Sequence, residues 1–101
     1  MWLFTMFDLP VDTKEARRRY TEFRKALLRD GFSMLQFSVY ARYCGSEETS
    51  EIHRKRIGAA VPDEGQVRLV SVTDRQFEKM QVFYGKTRHE PEKAPEQMAF
   101  F

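Results

Sequence analysis

A short apolar run, Trp2-Leu3-Phe4-Thr5-Met6-Phe7, ends on a carboxylate, Asp8, two residues before Pro10. Mg2+ is a hard cation that prefers octahedral oxygen coordination, and one or two carboxylates with waters and phosphate oxygens commonly hold it. A lone aspartate is too little for a catalytic site, whereas two copies brought together across a dimer axis would be enough. The plainer reading is an aspartate that opens a turn or accepts backbone N–H groups beside Pro10, a common use of this residue type.

The second candidate is cationic. Arg17, Arg18, Arg24, Lys25 and Arg29 fall in one segment, and guanidinium groups bind phosphates strongly and in bidentate fashion. Against this stands a solvated helix face held by i,i+4 pairs such as Glu15 with Arg19. Arg42 has a better claim than most, because a strand beside the one carrying Asp8 would place it near the same site. Tyr40, Tyr43 and Phe37 could stack on bases, but aromatic residues in strands are more often core.

Other chemistry finds little footing. His53 and His89 lack metal-ligand partners at useful spacing, and His89-Glu90 lacks the second histidine of a zinc-protease motif. Cys44 has no nearby histidine and reads as a packed residue at a strand end. Ser38 has no convincing base. The five glycines are scattered and form no phosphate-cradling loop.

These residues need elements to hold them. Residues 2–7 read as a buried strand. Asp12, three residues before Glu15, has capping-box spacing for a helix over residues 13–30. Ala16, Tyr20, Phe23 and Leu27 form its apolar stripe, with Lys14, Arg18, Lys25 and Arg29 opposite and Gly31 as the C′ residue. Residues 32–43 are extended but longer than an ordinary strand. Met34 beside Leu35 breaks the alternation, so a bulge or a break near Gln36 is expected. That break changes the order from β-α-β-α-β to β-α-β-β-α-β.

Ser46 caps a second helix over residues 47–60, thin in apolar residues (Ile52, Ile57, Ala60, then Val61) and therefore mostly wet. A turn over residues 62–65 leads to a strand over residues 67–72. Thr73-Asp74 opens a short helical turn, and residues 80–84 form a further strand ending at Gly85. Residues 86–97 carry Pro91, Pro95 and many charges without an apolar face, so they cannot pack a core. Met98-Ala99-Phe100-Phe101 then suggests a tail that docks.

Length and composition agree with one domain of 101 residues, 42% apolar with nine Phe. A core this small is marginal alone, and a dimer would bury a second apolar surface. The net charge of +2 does not by itself announce a nucleic-acid binder. One cysteine suggests a reducing compartment, and the absence of a signal-like or membrane-length apolar run points to a cytoplasmic protein with no membrane role.

Phe7-Asp8-Leu9-Pro10, the Arg-rich helix, Gly31-Phe32, Leu35-Gln36, Ser38-Val39-Tyr40 and Val67-Arg68-Leu69 leading into Val72-Thr73-Asp74 occur in that order. Together they resemble the CRISPR-associated small adaptation subunits, the endoribonuclease or endonuclease family that partners the spacer-acquisition integrase. The resemblance covers about residues 1–85. The segment from Ser71 to Phe77 is similar to members from systems with a single large effector nuclease.

The resemblance implies an α+β, ferredoxin-like β-α-β-β-α-β sandwich over residues 1–85. It implies a homodimer with facing sheets and extra C-terminal strands that pair with the partner protomer. It makes Asp8 the catalytic, Mg2+-binding acid, one from each protomer. Residues 86–101 would be a linker and docking tail that adds an edge strand or contacts the integrase. The implied polymer is pre-spacer duplex DNA, with RNA as a second substrate. Ser38 and Arg42 match a conspicuous family segment without inheriting a catalytic role.

Three functions compete at this point. The dimer is a metal-dependent endonuclease, or an architectural piece that bridges integrase subunits and holds DNA, or a metabolite-binding regulatory domain. The last rests on fold analogy alone. One acid per protomer and no evident general base make a sparse nuclease site.

Overall fold

The computed structural model describes residues 1–95. Strand β1 (Trp2–Asp8) leads into helix α1 (Lys14–Arg29), and a hairpin follows, β2 (Ser33–Gln36) and β3 (Val39–Tyr43). Helix α2 (Glu47–Ala60) and strand β4 (Gln66–Val72) complete the main sheet, whose order is β2-β3-β1-β4 with every neighbour antiparallel. This α+β arrangement is compatible with the ferredoxin-like sandwich expected from the break near Gln36. A short helix α3 (Asp74–Glu78) and a separate hairpin, β5 (Val82–Tyr84) with β6 (Thr87–His89), follow.

Local sequence explains most boundaries. Helix α1 is capped by Thr13, whose hydroxyl accepts from the Ala16 N–H at 3.0 Å. Asp12, the expected cap, lies one residue outside. Gly31 takes φ +86 after the helix, and the Gly31 and Phe32 N–H groups close back on Leu28 and Leu27 carbonyls. That pair of bonds is the Schellman arrangement, and it needs a left-handed residue at Gly31. Ser46 caps α2 as expected, and Thr73 with Gln76 forms a reciprocal capping box on α3.

The long extended segment divides at Phe37-Ser38. A register shift between Met34 and Gln36 marks the bulge, and Ser38 adopts φ +64 in the turn. The stretch after Gly85, expected to be linker, instead contributes β6. Gly85 at φ +62 begins a two-residue turn, so Tyr84 pairs with Thr87 and the hairpin closes across the boundary drawn at residue 85. Hairpin side chains are largely exposed, so the polar residues of β6 meet no core. Residues 98–101, the docking end of the expected tail, lie outside the described residues.

Register decides the two faces of the sheet. Leu3, Thr5 and Phe7 sit opposite Arg42, Tyr40, Ser71, Leu69 and Val67, and this face packs against Phe23 and Leu27 of α1 and Ile57 of α2. Trp2, Phe4, Met6 and Asp8 share the other face with Val39, Ala41, Tyr43, Arg68, Val70 and Val72. That face is covered in part: Phe77 of α3 stacks on Trp2 with ring centroids 4.1 Å apart and lies 5.7 Å from the Phe4 ring, and Met80 packs with them. Helix α2 departs from expectation in its inner residues: Ser50, His53 and Ile57 are buried, while Ile52 is exposed. Polar residues can fill that face because each finds a partner there.

Candidate functional site

Asp8 ends β1 on the open face, exposed, paired in register with Gln66 of β4. Its carboxylate makes no hydrogen bond or ion pair among the described residues. The alternation that buries Leu3, Thr5 and Phe7 under the helices turns Asp8 the other way, onto the face of Phe4 and Met6. The β1–α1 loop then carries the chain to α1, and Gly65 fits against its start. A Cβ at Gly65, where φ is +96, would stand 2.6 Å from the Asp8 carbonyl oxygen and 2.7 Å from Leu9 Cδ2. The strand end that presents Asp8 is therefore held by a backbone contact that only glycine allows.

The cations divide between this end and the rest of the molecule. Arg17 donates to the Val11 carbonyl at 3.1 Å, which keeps its guanidinium by the loop that leaves Asp8. Its remaining N–H groups are free to meet a phosphate. Arg18 pairs with Glu15 at 3.5 Å, both exposed, which is the solvated helix-face arrangement. Arg24 donates to the buried Tyr40 hydroxyl at 2.9 Å and so helps fasten α1 to the sheet. Lys25 and Arg29 are exposed farther along the helix. Lys14 and Arg29 are separated by roughly 22 Å of rise, so the basic stripe leads away from Asp8.

Arg42 corrects an expectation. It sits opposite Leu3, about 16 Å along the sheet from Asp8 at ~3.3 Å per residue, and on the helix-covered face. Its guanidinium donates to the Asp30 carbonyl at 2.8 Å and packs against Gly31, where a Cβ would fall 2.0 Å from it. Arg42 closes the C-terminus of α1 and does not join the Asp8 end.

His53 also proves partnered. Its Nδ1 lies 2.6 Å from Asp30, whose other oxygen accepts from Arg56 at 3.1 Å, and His53 and Asp30 are almost buried between the helices. Nothing in the local sequence joins Asp30 to His53, because the contact depends on how α1 and α2 cross. Cys44 is buried, and burial pushes its thiol up from the ordinary value despite the opposing charge of Arg42. It is an inert packed residue, as its sequence context suggested.

Two residues gain importance from the fold. Arg68 of β4 is exposed, stands opposite Met6, and shares Asp8's face one pleat away. Phe37, expected in the core, is 87% exposed at the tip of the β2–β3 turn, whereas Tyr40 in the same segment is 1% exposed. The signal for Arg68 was present as an arginine alternating with Val67 and Leu69, but its proximity to Asp8 depends on strand pairing. The described residues hold no group of three or more His, Cys, Asp or Glu suited to a metal. A single carboxylate fits Mg2+ as one ligand among waters and phosphate oxygens, and a complete site needs donors from elsewhere.

Residues 1–80 match the family model described as CRISPR associated protein Cas2. The chain is 50% identical over 101 residues to a protein named CRISPR-associated endoribonuclease Cas2 from Parvibaculum lavamentivorans, with both chains covered completely. Proteins of the same name from Flavobacterium psychrophilum and Paracidovorax avenae are 46% and 44% identical over the whole of this chain, with 88% and 94% of their own lengths covered. By family match and by full-length similarity, this chain belongs to the CRISPR-associated Cas2 family.

Proposed function

We propose that this chain acts in CRISPR spacer acquisition as a homodimer with Mg2+-dependent endonuclease activity at paired Asp8 residues, working beside the integrase. The observation that carries this reading is that Asp8 shares its face with Phe4, Met6, Val39 and Val70, apolar side chains of which the first three are half-buried and Val70 is exposed. An isologous dimer buries the same patch from both copies. A two-fold axis passing by the Asp8 end of the sheet gives one cleft two carboxylates. The relatives' name, endoribonuclease, supports RNA as a substrate, and the basic first turns of α1 suit either polymer.

Within such a cleft Asp8 would hold the cation, and Arg17 and Arg68 would orient the phosphodiester by charge-assisted hydrogen bonds. When bound, Mg2+ would supply Lewis-acid stabilisation of phosphate charge and a more acidic water. No side chain beside Asp8 stands out as a general base, so the protein's part is positioning and charge.

That sparseness favours a second reading, an architectural dimer that bridges integrase subunits and holds pre-spacer DNA without cutting it. Incubation of purified protein with single-stranded RNA and with duplex DNA, in Mg2+ and in chelator, separates the two. Cutting that requires Mg2+ and disappears in Asp8→Ala, with the oligomeric state unchanged, is the expected result. Absence of cutting, or cutting that survives the substitution, leaves the architectural reading.

A further inference from the structure

On the sheet face turned away from α1 and α2, strands β1 and β4 become polar at one end. Asp8 closes β1, Gln66 opens β4 directly across from it, and Arg68 follows one pleat back, opposite Met6. All three are exposed. The other residues of these two strands on that face are apolar: Trp2, Phe4, Met6, Val70 and Val72.

Residues directly opposite each other in an antiparallel pair point to the same side, with Cβ atoms about 4.5–5.5 Å apart. The Asp8 carboxylate and the Gln66 carboxamide are therefore within reach of a common point. Neither makes a hydrogen bond or ion pair among the described residues. Gly65 fixes the pair from behind. Its φ of +96 sets the entry to β4, and its missing Cβ lets the backbone before Gln66 close on the Asp8 carbonyl oxygen, which an added Cβ would meet at 2.6 Å. Ladder pairing and this contact tie the two strand ends at successive residues, so neither side chain stands on a free loop.

A carboxamide offers one hard oxygen acceptor and two N–H donors. Its oxygen serves a hard cation as a carboxylate oxygen does, without adding charge. Arg68 cannot take that part, because a guanidinium has only donors and suits phosphate instead. If this face turns toward a second copy, a carboxamide left without a partner would also cost free energy. A cation held at Asp8 supplies the partner.

We propose that the Gln66 side-chain oxygen is a second protein ligand, with Asp8, for the Mg2+ of the proposed site. Each protomer then contributes two oxygen donors and leaves the remaining positions to water and phosphate. The inference rests on the Asp8 reading and deepens it by adding to the donor set.

Metal binding is read without substrate and without cutting, on the full chain. Mn2+ is titrated in, and the electron paramagnetic resonance signal of the free ion is followed. Excess Mg2+ should release the bound Mn2+. Gln66→Ala and Gln66→Leu are each expected to weaken Mn2+ binding at least about tenfold. Gln66→Glu, which keeps an oxygen at that position, should not weaken it. Arg68→Ala, a change on the same face that removes no donor oxygen, should not weaken it either. Light scattering follows the oligomeric state of each variant.

Full affinity in Gln66→Ala, with affinity lost in Asp8→Ala, would overturn the proposal and leave the Asp8 reading standing. A loss in Gln66→Ala that Gln66→Leu restores, or that comes with a changed oligomeric state, would overturn it by making Gln66 a packing residue. Weaker binding in Gln66→Glu would do the same by assigning the work to the N–H donors. Mn2+ binding that survives Asp8→Ala, or that the unmodified chain lacks, would remove the Asp8 reading and this proposal with it.

Discussion

Single residues in this fold carry burdens that their neighbours in sequence do not reveal. Thr5 is fully buried in mid-β1 under the helices, and its hydroxyl has no hydrogen-bond partner. A buried unmet hydroxyl costs free energy that a methyl group would not. Thr5→Val is therefore expected to stabilise the chain by about 1 kcal/mol, raising the melting midpoint by about 4–8 °C for a domain of this size in a calorimetric scan. Cys44 allows a different check. Burial is the main cause of its raised pKa, so the folded state favours the protonated thiol. Its contribution to stability holds below the unfolded thiol's pKa and falls as pH rises through the folded value. At pH 8 the native chain should react slowly with a thiol-specific reagent, and unfolding in guanidinium should restore the rate of a free cysteine. Fast native labelling would mean that the strand end opens readily.

At the scale of elements, the C-terminus of α1 is the most heavily tied joint. Gly31 ends the helix in the left-handed region, the Arg42 guanidinium occupies the space where its Cβ would lie, and Asp30 holds His53 and Arg56 from α2. Gly31→Ala must strain the backbone and displace Arg42. A loss of at least about 1–3 kcal/mol is expected in urea unfolding, with the Asp8 end unaffected. Because Arg42 works here, Arg42→Ala should lower stability more than it lowers nucleic-acid affinity. Arg17→Ala should do the reverse, since its one bond, to the Val11 carbonyl, is exposed. Comparing chemical unfolding with oligonucleotide binding for the two variants checks that division.

For the molecule as a whole, the asymmetry between the two sheet faces is the main feature. One face is sealed by α1 and α2, and the other is covered in part, where Phe77 and Met80 pack with Trp2 and Phe4. Val70, 40% exposed, lies opposite Phe4 in the middle of the open face. If two such faces meet, Val70→Glu places a charge in the interface without disturbing the helix-side core. Light scattering should then show a monomer with an intact circular dichroism spectrum. An unchanged dimer would mean that the copies pair by some other surface. Cleavage dependent on paired Asp8 residues should fall together with the dimer, which links the assembly to the proposed site.

Reading the chain alone went furthest where interactions are local. The ends of α2, the left-handed Gly31, the short helix after Thr73 and the break near Gln36 were legible, because caps, turns and alternation act over a few residues. Asp8 stood out for the same reason, as a charge ending an apolar run. The cap at Thr13 and the β6 strand were missed by small margins, since a neighbouring polar residue and a short polar strand look alike to local rules. What only the tertiary structure decided is which residues meet. Strand pairing placed Arg68 near Asp8 and removed Arg42 from it, the hairpin turn exposed Phe37 while burying Tyr40, and helix crossing joined Asp30 to His53. Each of these depends on register between segments distant in the chain, where a one-residue shift reverses a side chain's face, and no local pattern encodes that.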